Sequence, residues 1–285
     1  TYHFVKENFM NSTIAKLADE FEKMEKTIAS QKKMIETLMP TGYVDTDTVK
    51  LHLNSVYGVM FGSRPSPKRC KLEDCSWDEI NMYSSFGLAD KMFEVGDTKK
   101  FRLADGSYLT ARIIGFNHDY ASDGSLVHIT FETVETLDGD IPMNEKPTNE
   151  GGWDASYLRA KLNGNFFEKQ LPADLKAVIK PVVKMTAKSK NEVRVSSVDK
   201  LFVLSEQEVF GRKIYSCGYE GKWYEWYKRE NTSYGKCKQN GERDWRWERS
   251  PLSGNTSNFC SVGNDGSAGF DTASSSYGVS FGFCI

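Results

Sequence analysis

Residues 245–285 read WRWERSPLSGNTSNFCSVGNDGSAGFDTASSSYGVSFGFCI. The middle, 252–277, is Ser, Gly, Asn, Thr and Asp, a composition that suits a flexible tail. Its two ends argue against a tail. Trp245-Arg246-Trp247 precedes it, and Val279 to Ile285 follows it as an apolar run that reads as a buried final strand. Phe259, Cys260 and Val262 form an apolar island inside, the core of a further short strand. The polar residues are therefore expected on a tethered segment, displayed by a folded scaffold. Tyr, Ser, Gly and Asn are also the residues of binding loops: Tyr and Trp give contact area at low entropic cost, and Ser, Gly and Asn give adaptable hydrogen bonds. A long solvated loop without a ligand has the same composition.

Upstream, the order of elements points to an α+β fold. Trp77–Lys91 reads as a helix. Strands are expected at Lys99–Leu103, Tyr108–Phe116 and Leu126–Val134, the first two joined by the hairpin signal Ala104-Asp105-Gly106. Trp153–Phe167 reads as a helix with Leu158, Leu162 and Phe166 on one side, and Ala173–Ile179 as a second. Strands follow at Val182–Thr186, Val193–Ser197 and Leu201–Leu204, then a helical turn at Ser205–Val209. After Gly211 periodicity fades into aromatic, glycine-rich sequence.

At the N-terminus, Met10, Ile14, Leu17, Phe21, Met24, Ile28, Gln31, Ile35 and Leu38 recur at alternating steps of four and three. This is a heptad seam with charged residues between, and Pro40 and Gly42 end it. It predicts an oligomerising coiled-coil helix within residues 1–40. An amphipathic helix packed on its own domain has a similar pattern. Ile14, Ile28 and Ile35 suit three strands as well as two, and a homotrimer is the expectation adopted. Residues 41–75, punctuated by Gly58, Gly62, Pro65 and Pro67, read as a linker. Residues 76–285 are the expected ligand-binding domain.

Composition narrows the function. The 285 residues carry a formal charge of −2, with no Lys/Arg-rich block. Neither nucleic acid nor an anionic membrane is an expected partner. No apolar run approaches the ~20 residues of a membrane helix. Thr1 to Asn11 do not read as a signal peptide. Six cysteines are sparse for a disulfide scaffold, and most are expected to be free and buried.

Several motifs occur together: Gly151-Gly152-Trp153 before Ser156-Tyr157-Leu158-Arg159; Leu201–Leu204 before Ser205-Glu206-Gln207-Glu208-Val209-Phe210-Gly211; Trp247-Glu248-Arg249-Ser250-Pro251; Asn258-Phe259-Cys260; Asp265-Gly266; and Gly278-Val279-Ser280-Phe281-Gly282-Phe283. In combination they resemble the C-type-lectin-like domains of gut-bacterial and phage proteins, some of which are variable proteins of diversity-generating retroelements. The resemblance covers residues 76 to 285. It implies an error-prone reverse transcriptase that mutates template adenines, chiefly in AAY codons. Such codons cannot become Lys, Glu, Gln, Met or Trp, and these five types are absent from 252–285.

On this reading the variable region spans about 234–277. Leu252, Ser257, Ser261, Gly263, Asp265, Ser267, Gly269, Phe270, Asp271, Thr272 and Ser275 resemble replaced Asn positions. Asn255, Asn258 and Asn264 would be unmutated or fixed. Arg246, Tyr234 and Asp244 would extend the ligand-binding surface upstream, with Trp245 beside them. Trp247 is expected to be buried, and Arg246 to point away from its Trp neighbours. Glu248, which AAY cannot reach, belongs to the scaffold.

Catalytic and metal chemistry is not expected. Cys70 and Cys75 do not have zinc-knuckle spacing. Asp265-Gly266 lacks the further carboxylates of a calcium loop. The formylglycine-generating oxidases share the broad fold and use a C-terminal cysteine pair. Here, however, Cys284 lies in an apolar strand without basic neighbours, and no His follows His128. No cofactor is expected. The implied function is host attachment by a phage tail-tip adhesin, with a bacterial surface protein or glycan as ligand. The alternatives are a bacterial cell-surface protein, or an invariant structural virion protein without diversified binding.

Overall fold

The computed structural model describes residues 70–190, 193–230 and 232–285. The expected coiled coil at 1–40 and the expected linker up to residue 69 lie outside them. The domain begins earlier than residue 76. A short 3-10 turn at Leu72–Asp74 buries Leu72, and Cys75 is buried beside it in the core.

Helix α1, Trp77–Ser85, starts where Ser76 and Glu79 form a reciprocal capping box. The helix expected over 77–91 is two helices, because Gly87 adopts φ +65° and turns the chain into α2, Ala89–Met92. Strands β1 (Thr98–Arg102), β2 (Tyr108–Tyr120) and β3 (Leu126–Thr133) form an antiparallel meander. The C-terminal strand β13 (Gly282–Cys284) joins its far edge, with Phe283 opposite Phe131. The apolar ending thus completes the main sheet, and Ser84 of α1 donates to the last carbonyl, that of Ile285, at 2.5 Å. Trp77 packs edge-on against Phe131, with centroids 5.8 Å apart, and Phe131 stacks on Phe283 at 5.1 Å.

The expected helix over 153–167 begins later, because Ser156 supplies the cap by accepting from the Arg159 amide at 3.1 Å. Helix α3 is Tyr157–Lys161; a π turn, Leu162–Phe166, kinks at Gly164 and leads into α4, Phe167–Gln170. Trp153 precedes them, fully buried, donating to Asp199 at 2.9 Å. Helix α5, Ala173–Val178, leads to the hairpin of β5 (Val182–Ala187) and β6 (Arg194–Asp199). Leu201–Leu204 is buried but is not a strand; it makes one bridge, Phe202 with Gly282. Helix α6, Glu206–Phe210, has a second capping box, Ser205 with Glu208, and stops at Gly211, φ +72°.

The remainder is short strands in long loops. These are β4 (Ile141–Pro142) paired with β12 (Ser276–Tyr277), and β7 (Lys236–Cys237) paired with β8 (Arg243–Asp244). A three-stranded sheet has the order β11 (Ala268–Thr272), β10 (Asn258–Val262), β9 (Arg246–Pro251). The fold is α+β. All six cysteines are free, so Cys260 and Cys284 are not bridged. Among the described residues, no helix is long and apolar enough to cross a membrane.

A charged cluster cross-braces the interior. Lys184 of β5 reaches Asp119 of β2 at 2.5 Å, the Tyr224 hydroxyl at 2.9 Å and Glu208 of α6 at 3.3 Å. Arg249 of β9 closes the set on Glu208 at 2.8 Å. Burial alone would raise the Asp119 carboxyl, but the Lys184 charge outweighs it and holds the carboxyl well below its usual range. The group is nearly sealed from solvent, Asp119 being 6% and Lys184 2% exposed, so it has the constitution of a brace and offers no entry for a substrate.

Candidate functional site

The polar C-terminal stretch is ordered by its own side chains. The turn after β10 is held by Asp265, whose Oδ1 accepts from the Ser267 amide at 2.9 Å and from its hydroxyl at 2.6 Å. These bonds lower the Asp265 carboxyl below its usual value. Asn255 Oδ1 accepts from the amides of Ser257 at 2.7 Å and Asn258 at 2.9 Å. The buried Asn149 amide then donates to the carbonyls of Asn255 and Asn258, at 2.8 and 2.9 Å. Asn255 and Asn258 therefore hold the loop while its tip faces solvent.

β11 is the outer strand of its sheet. Its Phe270, opposite Cys260 in register, is 46% exposed. Tyr215 meets the Phe270 ring edge-on, with centroids 5.0 Å apart. Trp245, 40% exposed, stacks on Tyr277 at 5.8 Å. Gly269 lies under the first ring of this second pair: a Cβ there would be 3.5 Å from the Trp245 ring and 3.2 Å from the Ser261 hydroxyl. Tyr277 in turn donates to Asp271 at 2.5 Å, and burial together with that carboxylate raises its phenol. The result is a surface with two partly exposed aromatic pairs set among polar loop residues, Trp245–Tyr277 on the side of β11 that Gly269 and Asp271 face and Tyr215–Phe270 on the other.

Around this face, Asp265 and Ser267 are exposed, and Leu252, Ser257, Gly269, Asp271, Thr272 and Ser275 are half-buried. The 252–254 loop abuts Tyr215 through the Ser253 amide, which donates to the Tyr215 carbonyl at 3.0 Å. Trp247 is fully buried, as expected, with its indole donating to the Ile141 carbonyl at 2.9 Å.

Four of the expected surface residues, Arg246, Asp244, Ser261 and Gly263, belong to the scaffold instead, and Tyr234 is half-buried against it. Arg246 is fully buried, because both faces of β9 are covered and no solvent side exists for it to point to. Its guanidinium lies 3.5 Å from Glu132 of β3 and donates to the Tyr227 hydroxyl at 3.1 Å and the Tyr234 carbonyl at 3.3 Å. Burial works against that charge, but Tyr227 and Glu132 raise it above its usual value. Lys236 shares Glu132 at 3.1 Å, and burial brings the Lys236 ammonium down to about 8.

Asp244 is folded beneath Gly278, accepts from Thr136 at 2.6 Å and has its carboxyl raised by burial. Ser261 and Gly263 are enclosed by β10's neighbours and the turn, with the Gly263 amide donating to Ser267 at 2.7 Å. Tyr234 stacks inward between Tyr227 (5.5 Å) and Phe210 (5.2 Å), and its hydroxyl is bonded to the Tyr227 carbonyl. Tyr215 and Tyr277 are the residues that sequence reasoning missed. Their only signal was the crowding of Tyr into the aperiodic last third.

A cavity lies elsewhere, lined by Cys70, Leu72, Met92, Gly96 and neighbours, and contains none of the expected site residues.

The family described as "Domain of unknown function (DUF6273)" matches residues 126–285, more than half of the chain, and the chain belongs to it. No curated protein and no solved structure matches the chain.

Proposed function

We propose that residues 70–285 are a non-enzymatic binding module, a C-type-lectin-like scaffold whose C-terminal face is diversified by a retroelement. The displayed surface is Trp245 with Tyr277 and, across the edge strand β11, Phe270 with Tyr215, ringed by Leu252, Ser257, Asp265, Ser267, Gly269, Asp271, Thr272 and Ser275. The observation that carries this reading is the partial exposure of Trp245 and Phe270 on either side of the edge strand β11, beside loops held from beneath by Asn149 and Asn255. Large aromatic side chains left in water on a rigid support are what interface hot spots are made of. The absence of Lys, Glu, Gln, Met and Trp from 252–285 adds the retroelement signature. With an N-terminal helix that trimerises the chain, weak single sites gain avidity. The whole fits host attachment by a phage tail-tip adhesin, with a bacterial surface protein or glycan as ligand.

The test is tolerance. A displayed library randomised at Ser257, Asp265, Ser267, Gly269, Phe270, Asp271, Thr272 and Ser275 keeps its fold in most members, by protease resistance. A matched library at Arg246, Trp247, Ser261 and Gly263 does not. Equal collapse of both libraries overturns the reading and leaves an invariant structural protein.

A further inference from the structure

Beneath the aromatic face, three side chains from different elements meet out of contact with water. Glu206 is the first residue of α6, Glu248 lies in β9 and Cys260 in β10, and one ligand atom from each falls within 4.8 Å of the other two. All three are fully buried. The convergence is built by an irregularity. β9 and β10 lose register between Phe259 and Ser261, so the five residues Trp247 to Pro251 oppose the three from Phe259 to Ser261, and β9 bulges in the stretch that holds Glu248.

Glu206 is fixed in place. Its carboxylate accepts from the amides of Ile214 at 2.8 Å, Tyr215 at 2.7 Å and Ser216 at 2.9 Å. Glu248 is the opposite: neither of its carboxyl oxygens has a hydrogen-bond partner. Of the nearby guanidiniums, Arg246 lies 3.5 Å from Glu132 and Arg249 bonds Glu208; neither hydrogen-bonds Glu248, and Arg246 Nε and Nη1 and Arg249 Nε have no hydrogen-bond partner either. Among the described residues no ion pair reaches Glu206 or Glu248. Glu220 adds one more buried carboxyl oxygen without a partner in the same region.

An unpaired buried carboxylate costs several kcal/mol, so such groups are found neutralised, paired or on a metal. We propose that Glu206, Glu248 and Cys260 bind a zinc ion that locks the floor of the aromatic face. The donor set selects the metal. A thiolate disfavours magnesium and calcium, whereas two carboxylates and one thiolate suit zinc's tetrahedral, mixed coordination. Ligand separations must contract from the present spacing, and the unrestrained Glu248 is the group free to move. On binding, the Cys260 sulfur forms the bond to zinc and its proton leaves to solvent.

The consequence for the face is direct. Glu206 grips the amide of Tyr215, and Cys260 lies opposite Phe270, so one ion would tie both rings to the same point. This inference stands whether or not the face is diversified.

The experiment uses the full chain. It is stripped with a chelator, titrated with Co2+ as a spectroscopic zinc substitute, and separately reloaded with Zn2+ for elemental analysis. About one equivalent is expected, with a sulfur-to-cobalt charge-transfer band. The band survives in the variant Cys70→Ser/Cys75→Ser/Cys217→Ser/Cys237→Ser and disappears in Cys260→Ser. Glu248→Gln serves as the second variant, with circular dichroism confirming the fold; it weakens Co2+ binding at least 10-fold, the second variant removing a ligand without touching the sulfur. Binding below a tenth of an equivalent, a band lost in the four-cysteine variant while that variant stays folded, or full binding by folded Glu248→Gln overturns the site.

Discussion

Replacing Arg246 by Ala separates scaffold from surface most sharply. Were Arg246 part of the displayed face, its loss would change stability by at most about 0.5 kcal/mol. The structure gives a different figure. Its guanidinium is fully buried, 3.5 Å from Glu132, and donates to the Tyr227 hydroxyl and the Tyr234 carbonyl. Removing one partner of a buried ion pair is destabilising by about 3–5 kcal/mol, because the remaining charge keeps its desolvation cost. Lys236 still faces Glu132 and moderates the loss, so the low end, about 3 kcal/mol, is expected. For a domain of this size that is a fall in Tm of roughly 6–12 °C. Thermal melts by circular dichroism, with urea titrations at constant m, measure it. A Tm within about 2 °C of the parent would refute the burial argument and return Arg246 to the surface.

Trp245→Ala, by contrast, removes a 40%-exposed ring and its stacking on Tyr277, and should lower stability by only about 1 kcal/mol in the same melts. Gly278→Ala places a methyl 2.0 Å from Asp244 Oδ2 and 2.8 Å from the Trp245 carbonyl, so insoluble expression or a loss above about 3 kcal/mol is expected; a normal melt contradicts it. The Cys75 thiol beside it lowers the Cys70 thiol to about 7, whereas burial raises Cys260 and Cys284. Brief iodoacetamide treatment at pH 8 followed by peptide mass spectrometry should label Cys70 well before those two; equal labelling counts against the packing described. Asp119, Glu132 and Glu208 all have carboxyls lowered against burial by Lys184, Lys236 and Arg249 respectively. The unfolded chain then takes up protons first as pH falls, so their stabilisation is complete above pH about 5 and is lost progressively below about 4. Urea midpoints measured at pH 5, 4 and 3 should drop steeply below 4; a flat profile speaks against these pairs.

Much of the scaffold was readable because local signals agreed with the tertiary outcome. The β1–β2 hairpin, the strands β3, β5 and β6 and the α5 helix follow alternation and turn chemistry, and Val279 to Ile285 announced a buried ending. Misreadings arose where one residue overrode a pattern. Gly87 split α1 from α2, and the Ser156 cap started α3 at Tyr157 rather than at Trp153. Leu201–Leu204 was apolar enough for a strand but finds only Gly282 to bridge, a short-run ambiguity that periodicity does not resolve. At the face, the exposed Trp245 and Phe270 were legible from composition and position. Arg246 was not, because its burial depends on Glu132 in a distant strand and on Tyr227, partners that no local pattern reveals. Nor was the half-burial of Tyr234, which packs on Phe210 and Tyr227. The convergence of Glu206, Glu248 and Cys260 depends on a bulge, which spacing along the chain does not encode.

The central claim, a diversified binding face on a fixed scaffold, is tested most directly at the encoding locus. A near-identical second copy of the bases encoding the C-terminal segment is sought, and every mismatch between the copies is tabulated. The account predicts that mismatches fall where the second copy has adenine, and that they concentrate in the codons of Leu252, Ser257, Asp265, Ser267, Gly269, Phe270, Asp271, Thr272 and Ser275, sparing Trp247 and Glu248. The absence of such a copy, or mismatches spread over all four bases, would contradict it.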